Sequence, residues 1–345
     1  MKDVGGVELR EVEPPVLEDG SLIVEMKASG VCGTDIEKTR GRNITSPILG
    51  HEVAGIVAES GINHIHAGTR VVPHHHVACG KCDYCRRGAE TMCTKFKTSN
   101  FQPCGFAERF LVPRYNVQNG GVHVFDSSIS FEEASFAEPF ACCIRGQEKV
   151  FRSLQGFSEG SVLQAAVIGA GPIGLMHMEL LRKRFPNAKI LAVDINDLRL
   201  FFAEREEGAL VLNPKNTEEG LFSQKALALS NAKEGFDLVI VATGSPKAID
   251  EAIRCVRKSG SLLLFGAPHR GTIHQLDLAR FFLDELNIVS SYSATDRELD
   301  SALRLIEGRV LDVSKFISKR YPLERIGDAF DSAMLDNSVK IVVSN

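Results

Sequence analysis

Short, apolar, strand-like segments alternate with longer helical segments between residues 162 and 266, and this alternation constrains the fold more than any other feature of the sequence. Strands are predicted at 162–168, 190–194, 238–242 and 262–266, with helices between them at 173–184, 198–207 and 247–258. Strand–helix–strand units of this kind assemble into a parallel sheet with helices on both faces. The sequence therefore predicts an α/β fold with a doubly wound parallel sheet.

The chain on either side of this region has a different character. Before residue 145 it contains short β-branched segments bounded by glycines, at 22–27, 53–58 and 70–72, which predict a small, mainly β unit. After residue 288 the pattern is mixed. With 345 residues, the chain is long enough for two domains of about 150 residues each.

Composition excludes several classes of protein. Hydrophobic residues make up 44% and charged residues 24%, as in ordinary globular proteins. A net charge of −4 leaves no basic excess to neutralise a phosphate backbone, which argues against nucleic-acid binding. No apolar run reaches the roughly 18 residues of a membrane helix, and the charged N-terminus does not resemble a signal peptide. The predicted location is therefore the cytoplasm, without a membrane partner.

A glycine-rich turn joins the first predicted strand of the alternating region to its helix. Gly169, Gly171 and Gly174 fit the pattern G-x-G-x-x-G. Gly169 would permit the tight turn, Gly171 would let a pyrophosphate approach the backbone, and Gly174 would let the helix pack closely on the strand. Pro172 and Ile173 open the helix, whose N-terminal N–H groups attract phosphate. The turn predicts dinucleotide binding; the alternative is a glycine-rich turn without a ligand.

The next predicted strand ends at Asp194, about 20 residues after Gly174, which is the spacing of a ribose-binding carboxylate. A carboxylate there accepts hydrogen bonds from ribose hydroxyls and repels a 2′-phosphate, which favours NAD over NADP. Arg199 lies close in sequence and could serve such a phosphate, so it is a second candidate cofactor contact.

Four of the nine cysteines, Cys79, Cys82, Cys85 and Cys93, follow the spacing C-x2-C-x2-C-x7-C. In a reducing compartment, clustered cysteines favour metal binding over disulfides. Four thiolates close a tetrahedral zinc site and leave no position for substrate, so this zinc would be structural. The alternatives are an iron–sulfur cluster, whose common spacings differ, and two disulfides.

Three further segments carry metal-binding residue types but are far apart in sequence. They contain Cys32 with Thr34 and Asp35, the pair His51–Glu52, and Glu138 before a proline. Taken singly, each has a common structural explanation. His74–His75–His76 could hold a second metal, although partly exposed polar residues are the simpler interpretation. A basic loop with Lys38, Arg40 and Arg42 could bind a carboxylate or phosphate, or be merely solvated.

Together these motifs resemble the zinc-dependent medium-chain dehydrogenase/reductase family, over nearly the whole chain and in the same order. Within it the chain is similar to the sorbitol (polyol) and threonine dehydrogenase branch, because Glu138–Pro139 matches the polyol enzymes, where glutamate replaces a cysteine ligand of other alcohol dehydrogenases. The resemblance implies a discontinuous, mainly β, GroES-like catalytic domain formed by 1–145 and 288–345. It also implies a Rossmann domain at 146–287 and a homo-tetramer or homo-dimer.

The resemblance also implies roles for individual residues. Cys32, His51 and Glu138 would bind a catalytic zinc, the second zinc of each chain. Glu52 would be an outer or transient ligand, and Asp35 would hold the other nitrogen of His51.

The implied reaction is oxidation of a secondary alcohol to the ketone, with hydride transfer to NAD. Zinc would lower the pKa of the alcohol, and Thr34 would take its proton. A polyol, a sugar or a related hydroxy compound is the expected substrate. Many family members carry a histidine where this chain has Glu37, which would serve the proton relay or contact a substrate hydroxyl. This difference disfavours the alternative of threonine oxidation; oxidation of a sugar acid or sugar phosphate, and a non-catalytic NAD or zinc sensor, are further alternatives.

Overall fold

The chain forms two compact units in a computed structural model that describes residues 6–41, 48–154, 162–217, 222–335 and 338–345. The first unit comprises Met1–Cys142 and Ser293–Asn345, and the second comprises Cys143–Tyr292. Arg42 of the predicted basic loop lies outside the described residues. Among the described helices, none is both long enough and apolar enough to cross a lipid bilayer.

The strands of the described part of the chain are β1 (Leu22–Gly30), β2 (Glu52–Ser60), β3 (Arg70–Pro73), β4 (Arg109–Val112), β5 (Val122–Val124), β6 (Gln164–Ile168), β7 (Lys189–Val193), β8 (Leu210–Leu212), β9 (Phe236–Val241), β10 (Val256–Leu264), β11 (Asn287–Ser290), β12 (Ile317–Pro322) and β13 (Lys340–Ser344). The helices are α1 (Gly33–Thr39), α2 (Asp83–Arg86), α3 (Arg114–Gln118), α4 (Phe131–Ala134), α5 (Ala137–Phe151), α6 (Pro172–Arg184), α7 (Asp197–Glu207), α8 (Phe222–Ala228), α9 (Pro246–Cys255), α10 (Leu278–Leu283), α11 (Asp296–Glu307) and α12 (Ile326–Met334). Short 3-10 turns occur between several of them.

The second unit contains the predicted parallel sheet, with six strands in the order β11-β10-β9-β6-β7-β8. Every residue of β6 and of β9 is buried, as expected for central strands covered on both faces. Ile168 at the end of β6 lies opposite Val193 of β7 and Val241 of β9. The carboxyl ends of these strands therefore meet at one edge of the sheet, where the glycine turn begins. The predicted fold class is confirmed.

The helix predicted at 247–258 is wrong at its C-terminal end. Helix α9 ends at Cys255, and β10 starts at once with Val256, which pairs with Phe236 of β9. Ser259 then adopts a positive φ of 58°, and the regular pairing resumes at Ser261. Pairing with the buried strand β9 overrides the local helical pattern at this point.

The first unit is built on a seven-stranded sheet in the order β12-β13-β1-β2-β3-β5, with β4 also paired to β1. All pairs are antiparallel except β12 with β13. Its core contains valine, leucine and phenylalanine side chains from the sheet, closed by α12. Because β1 pairs with both β2 and β13, the end of β1 lies beside the first residue of β2 and the middle of β13, two strands that are distant in sequence. Gly30 lies opposite Glu52 on one side and Val342 on the other.

Candidate active site

Three of the predicted metal ligands converge at this end of β1. Cys32 follows β1 and is the N-cap of α1, while His51 directly precedes β2 and Glu52 is the first residue of that strand. One potential ligand atom from each lies within 4.8 Å of the others. A thiolate, an imidazole and a carboxylate at this spacing suit a zinc ion.

Asp35 holds Cys32 and His51 in position through three contacts of its carboxylate. Its Oδ1 lies 3.3 Å from His51 Nδ1 and accepts a hydrogen bond from the Gly50 amide at 3.1 Å. Its Oδ2 accepts one from the Cys32 amide at 3.3 Å. The fully buried carboxylate of Asp35 therefore holds the Cys32 backbone, the Gly50 backbone just before His51, and the imidazole ring of His51.

The electrostatics of this pair favour an ionised Asp35. Burial alone raises the pKa of Asp35, but the charge and hydrogen bond of His51, together with Lys38 and the Gly50 amide, leave it below the usual value. Burial lowers the pKa of His51, and the charges of Asp35 and Cys32 more than reverse this, raising it well above the usual value. Since Asp35 is an acceptor, His51 Nδ1 donates, and Nε2 is the atom left to bind a metal.

Gly50 is required for this geometry. Its φ of +74° lies in the left-handed region, where glycine is favoured. A Cβ at this position would lie only 2.7 Å from the Phe106 amide nitrogen and 2.8 Å from the Gly105 carbonyl carbon. Only glycine lets the chain turn here and deliver His51 to Asp35.

Glu52 forms a buried ion pair with Lys340, the first residue of β13. Burial lowers the pKa of Lys340, but the charge of Glu52, helped by Cys32, raises it overall. A Cβ on Gly30 would lie 2.1 Å from Glu52 Oε2 and 2.9 Å from Lys340 Cε, so this pair depends on a glycine in β1. Sequence reasoning did not identify the pairing, because no local pattern links the two residues.

Glu138 lies in the first turn of α5 and is buried, outside the group of three closely spaced ligand atoms. Burial raises its pKa; His51 lowers it and Glu52 raises it, so these groups are near enough for their charges to act. The Cys142 thiol, one turn later, donates to Glu138 Oε1 at 3.5 Å. Its role as the third zinc ligand remains a prediction.

The four clustered cysteines also come together. Cys85 Sγ lies 3.5 Å from Cys82 Sγ and 4.0 Å from Cys79 Sγ. Zinc–sulfur bonds of about 2.3 Å in a tetrahedron place sulfurs roughly 3.8 Å apart. The amides of Lys81 and Cys82 lower the pKa of Cys79 to about 6, whereas burial, followed by hydrogen bonds within the cluster, raises the pKa of Cys85 to about 12. All four cysteines are free, which favours a metal site over the alternative of two disulfides.

The glycine turn has the geometry predicted for it. Gly169 has a φ of +99°, and a Cβ on Gly174 would lie 1.9 Å from the Gly169 carbonyl oxygen. Gly171 is the N-cap of α6 without a side-chain cap, and Pro172 is the first helical residue. The free amides of this helix end therefore point to where a pyrophosphate would bind.

Asp194 directly follows β7 and is largely buried beside the turn. Its Oδ2 accepts a hydrogen bond from the Ala170 amide at 2.7 Å, and its Oδ1 accepts one from the Asn196 amide at 2.9 Å. Arg199 Nη1 lies 3.9 Å from Oδ2. The carboxylate is thus held in place by backbone amides, and its charge is partly balanced by Arg199.

The interpretation of His74–His75–His76 as partly exposed is wrong for the first two. They follow β3 directly, and both His74 and His75 are buried. His74 Nδ1 lies 2.9 Å from Asp296 Oδ1, and His123 Nε2 lies 3.3 Å from the same oxygen. Within the described residues, neither potential metal-binding group contains these histidines.

Comparison with known proteins gives the family. The alcohol dehydrogenase GroES-like domain matches residues 18–119, and the zinc-binding dehydrogenase family matches residues 172–308. The D-altritol 5-dehydrogenase of Agrobacterium fabrum is 32% identical over 93% of this chain and 91% of its own length. The alcohol dehydrogenase of Geobacillus stearothermophilus is 30% identical over 94% and 92%. The chain belongs to the zinc-dependent medium-chain dehydrogenase/reductase family.

The fold supports this assignment. The crystal structure of an alcohol dehydrogenase from Thermus sp. ATN1 superimposes with a TM-score of 0.84, at 25% identity, over 100% of this chain and 98% of that one. The resemblance inferred from the motifs is therefore confirmed. As a member of this family, the chain is an oxidoreductase that acts on alcohols, with zinc and NAD(H) as cofactors.

Proposed function

We propose that this chain is an NAD-dependent, zinc-requiring dehydrogenase that oxidises a secondary alcohol of a polyol, a sugar or a related hydroxy compound to the ketone. The observation that carries the proposal is the convergence of Cys32, His51 and Glu52, with Glu138 close by, in a chain that also has the dinucleotide turn. The name of the 32% identical relative, D-altritol 5-dehydrogenase, supports a polyol as the substrate class.

Cys32, His51 and Glu138 would hold the catalytic zinc, with Glu52 as an outer or transient ligand. Bound there, zinc would supply the Lewis acidity that favours loss of the alcohol proton, and NAD would accept the hydride. The buried carboxylate of Glu52 has two possible partners. It would either stay paired with Lys340 or bind the metal.

Thr34 would receive the alcohol proton at its hydroxyl oxygen. It lies exposed in the first turn of α1, and its amide lies 3.4 Å from Cys32 Sγ. Asp35 keeps His51 in the tautomer a metal needs. Glu37, half-buried one turn of helix beyond, pairs with Arg40 at 3.5 Å and would pass the proton on or contact a substrate hydroxyl.

For the cofactor, we propose NAD in preference to NADP. The Gly169–Gly174 turn and the open end of α6, with Ile173 at its second position, would bind the pyrophosphate. The fixed carboxylate of Asp194 would accept hydrogen bonds from the ribose hydroxyls and repel a 2′-phosphate. Arg199, already drawn towards Asp194, would be less available to such a phosphate.

We also propose that the chain forms a homo-tetramer or homo-dimer in the cytoplasm. Several large apolar side chains on the second unit are exposed: Ile273 by 90%, Leu278 by 73%, Phe282 by 82% and Leu283 by 74%. Several exposed apolar side chains within one short stretch of sequence favour a protein partner. Its free thiols suit a reducing compartment. Light scattering after gel filtration would measure the assembly, and a monomer would contradict it.

The deciding experiment is NAD⁺ reduction across a panel of polyols, inositols, sugars, secondary alcohols and L-threonine. Turnover of a polyol or sugar that disappears in Cys32→Ser, while Cys104→Ser remains active, is the expected result. Cys104 is the matched control, because its thiol contacts the Phe106 carbonyl and belongs to neither potential metal-binding group of the described residues. Turnover that survives complete loss of zinc would contradict the proposal; a sensor would bind NAD without oxidising any substrate.

A further inference from the structure

Helix α1 presents a lysine beside the proposed catalytic hydroxyl. Thr34 and Lys38 are four residues apart, so they lie on the same face of the helix, one turn from each other. Lys38 is half-buried, and its Nζ donates a hydrogen bond to the Ile48 carbonyl at 2.6 Å, three residues before His51. This hydrogen bond ties the ammonium to the segment that delivers a zinc ligand.

Two imidazole rings extend from the same place. The ring centroid of His75 lies 5.0 Å from that of His51, and the centroid of His76 lies 3.9 Å from that of His75. Burial lowers the pKa of His76 to about 3, helped by the charges of His74, His51, Lys97 and Lys38. The rings of His75 and His76 form a polar wall beside His51.

The charge of Lys38 helps to lower the pKa of the buried Asp35, but no direct ion pair joins the two side chains. Among the described residues, its polar partner is the carbonyl of Ile48, and no carboxylate lies within ion-pair distance of it. Glu37 is directed to Arg40, and Asp35 is fully buried and engaged with Cys32, His51 and Gly50. A half-buried ammonium with two remaining donors is suited to an anion.

We propose that Lys38 binds an anionic end group, a phosphate or a carboxylate, of the hydroxylated substrate. The proposal rests on the proposed function and narrows its substrate class from polyols in general to polyol phosphates and sugar acids. The anion lies on the Lys38 side of Thr34, a few carbons from the carbon that is oxidised. His75 and His76 offer ring nitrogens that can form hydrogen bonds with hydroxyls along the substrate chain.

The test compares matched substrates in wild type and Lys38→Met. Each set contains a polyol, its terminal phosphate monoester and the corresponding aldonate, such as sorbitol, sorbitol 6-phosphate and gluconate, in several configurations. We expect wild-type kcat/KM to favour one anionic member, and this preference to fall about 10- to 100-fold in Lys38→Met, as for a lost charge-assisted hydrogen bond. Whether the phosphate monoester or the aldonate is preferred identifies the anion that Lys38 binds.

Three controls make the result specific to Lys38. Lys38→Arg keeps the charge and should retain most of the preference. Lys258→Met removes an exposed lysine of the second unit and should change nothing. Inorganic phosphate should compete with the preferred substrate in wild type and lose this effect in Lys38→Met.

The outcomes separate this inference from the proposed function. Turnover of neutral polyols with no anionic preference, or an anionic preference unchanged in Lys38→Met, overturns the inference and leaves the function standing. A higher KM for NAD⁺ in Lys38→Met, with an unchanged substrate preference, assigns the lysine to a cofactor phosphate and also overturns it. An absence of turnover with every member of every set contradicts the proposed function itself.

Discussion

At the scale of single residues, the candidate active site depends on groups that never touch the reacting atoms. Asp35 holds the backbone of Cys32 and Gly50 together with the ring of His51. Gly30 leaves room for the ion pair between Glu52 and Lys340. Each substitution below removes one of these supports without replacing any predicted zinc ligand.

Asp35→Asn should lower the affinity for the catalytic zinc about 10- to 100-fold. Loss of the carboxylate removes the charge that fixes His51 with Nδ1 as donor, and such outer partners contribute this much to metal affinity. Zinc content under titration with a competing chelator measures it, with the cysteine-bound zinc as the internal reference. Asp312→Asn, an exposed carboxylate that contacts Ser314, is the control. Equal loss of both zincs would mean that the variant is unfolded.

Gly30→Ala should destabilise the first unit by about 2–4 kcal/mol. The new Cβ would lie 2.1 Å from Glu52 Oε2, which forces the buried ion pair apart. Gly33→Ala is the matched control, because nothing lies within 4 Å of a Cβ there. Urea unfolding measures both variants. Equal stability of the two alanine variants would show that β1 and Glu52 can relax without cost.

At the scale of elements, the alternation of strands and helices from β6 to β10 was predicted because each element has its own periodicity. The end of α9 was not predicted correctly. Val256 belongs to β10 because it pairs with Phe236 of β9, and its local sequence does not indicate this pairing. The glycine turn is the element whose prediction agrees most closely with the structure. Its glycines serve different purposes, fold stability and cofactor binding, which single substitutions can distinguish.

Gly174→Ala should lower stability, whereas Gly171→Ala should leave stability unchanged and weaken cofactor binding. A Cβ on Gly174 would lie 1.9 Å from the Gly169 carbonyl, so this variant should unfold at lower urea concentration. A Cβ on Gly171 has no neighbour closer than 3.8 Å and should be tolerated by the fold. It would instead occupy the space of the pyrophosphate and raise the Kd for NADH about tenfold or more. Unchanged NADH binding in a stable Gly171→Ala would contradict the assigned cofactor site.

At the scale of the whole molecule, residues that follow the second unit in sequence return to complete the first. Asp296, the first residue of α11, accepts hydrogen bonds from His74 beyond β3 and from His123 on β5. Burial lowers the pKa of His74, but Asp296, with Glu138 and Glu298 further away, raises it above its usual value. Burial raises the pKa of Asp296, and His74 and His123 bring it below the usual value.

These shifts predict how the stability of this connection depends on pH. The His74 contribution is fully present below the unfolded pKa of about 6.5 and is lost as pH rises through the raised folded value. The Asp296 contribution is present above about pH 4 and is lost in more acidic solution. The loss of unfolding free energy in Asp296→Asn should therefore be larger at pH 6 than at pH 9, by about 1–3 kcal/mol. Urea unfolding at both pH values tests it; a difference independent of pH would contradict a charged His74.

The sequence by itself determined those features whose physical cause is local. These features are the hydrophobic period of each element, the spacing of the three glycines and the spacing of the four cysteines. Each acts over a few neighbouring residues, so it can be recognised without the rest of the fold. Features formed by residues distant in sequence required the tertiary structure. The pairing of β1 with both β2 and β13 brought Lys340 to Glu52, and the return of α11 brought Asp296 to His74. The physical reason is that strand pairing and burial, which no short segment encodes, decide which distant charges come together.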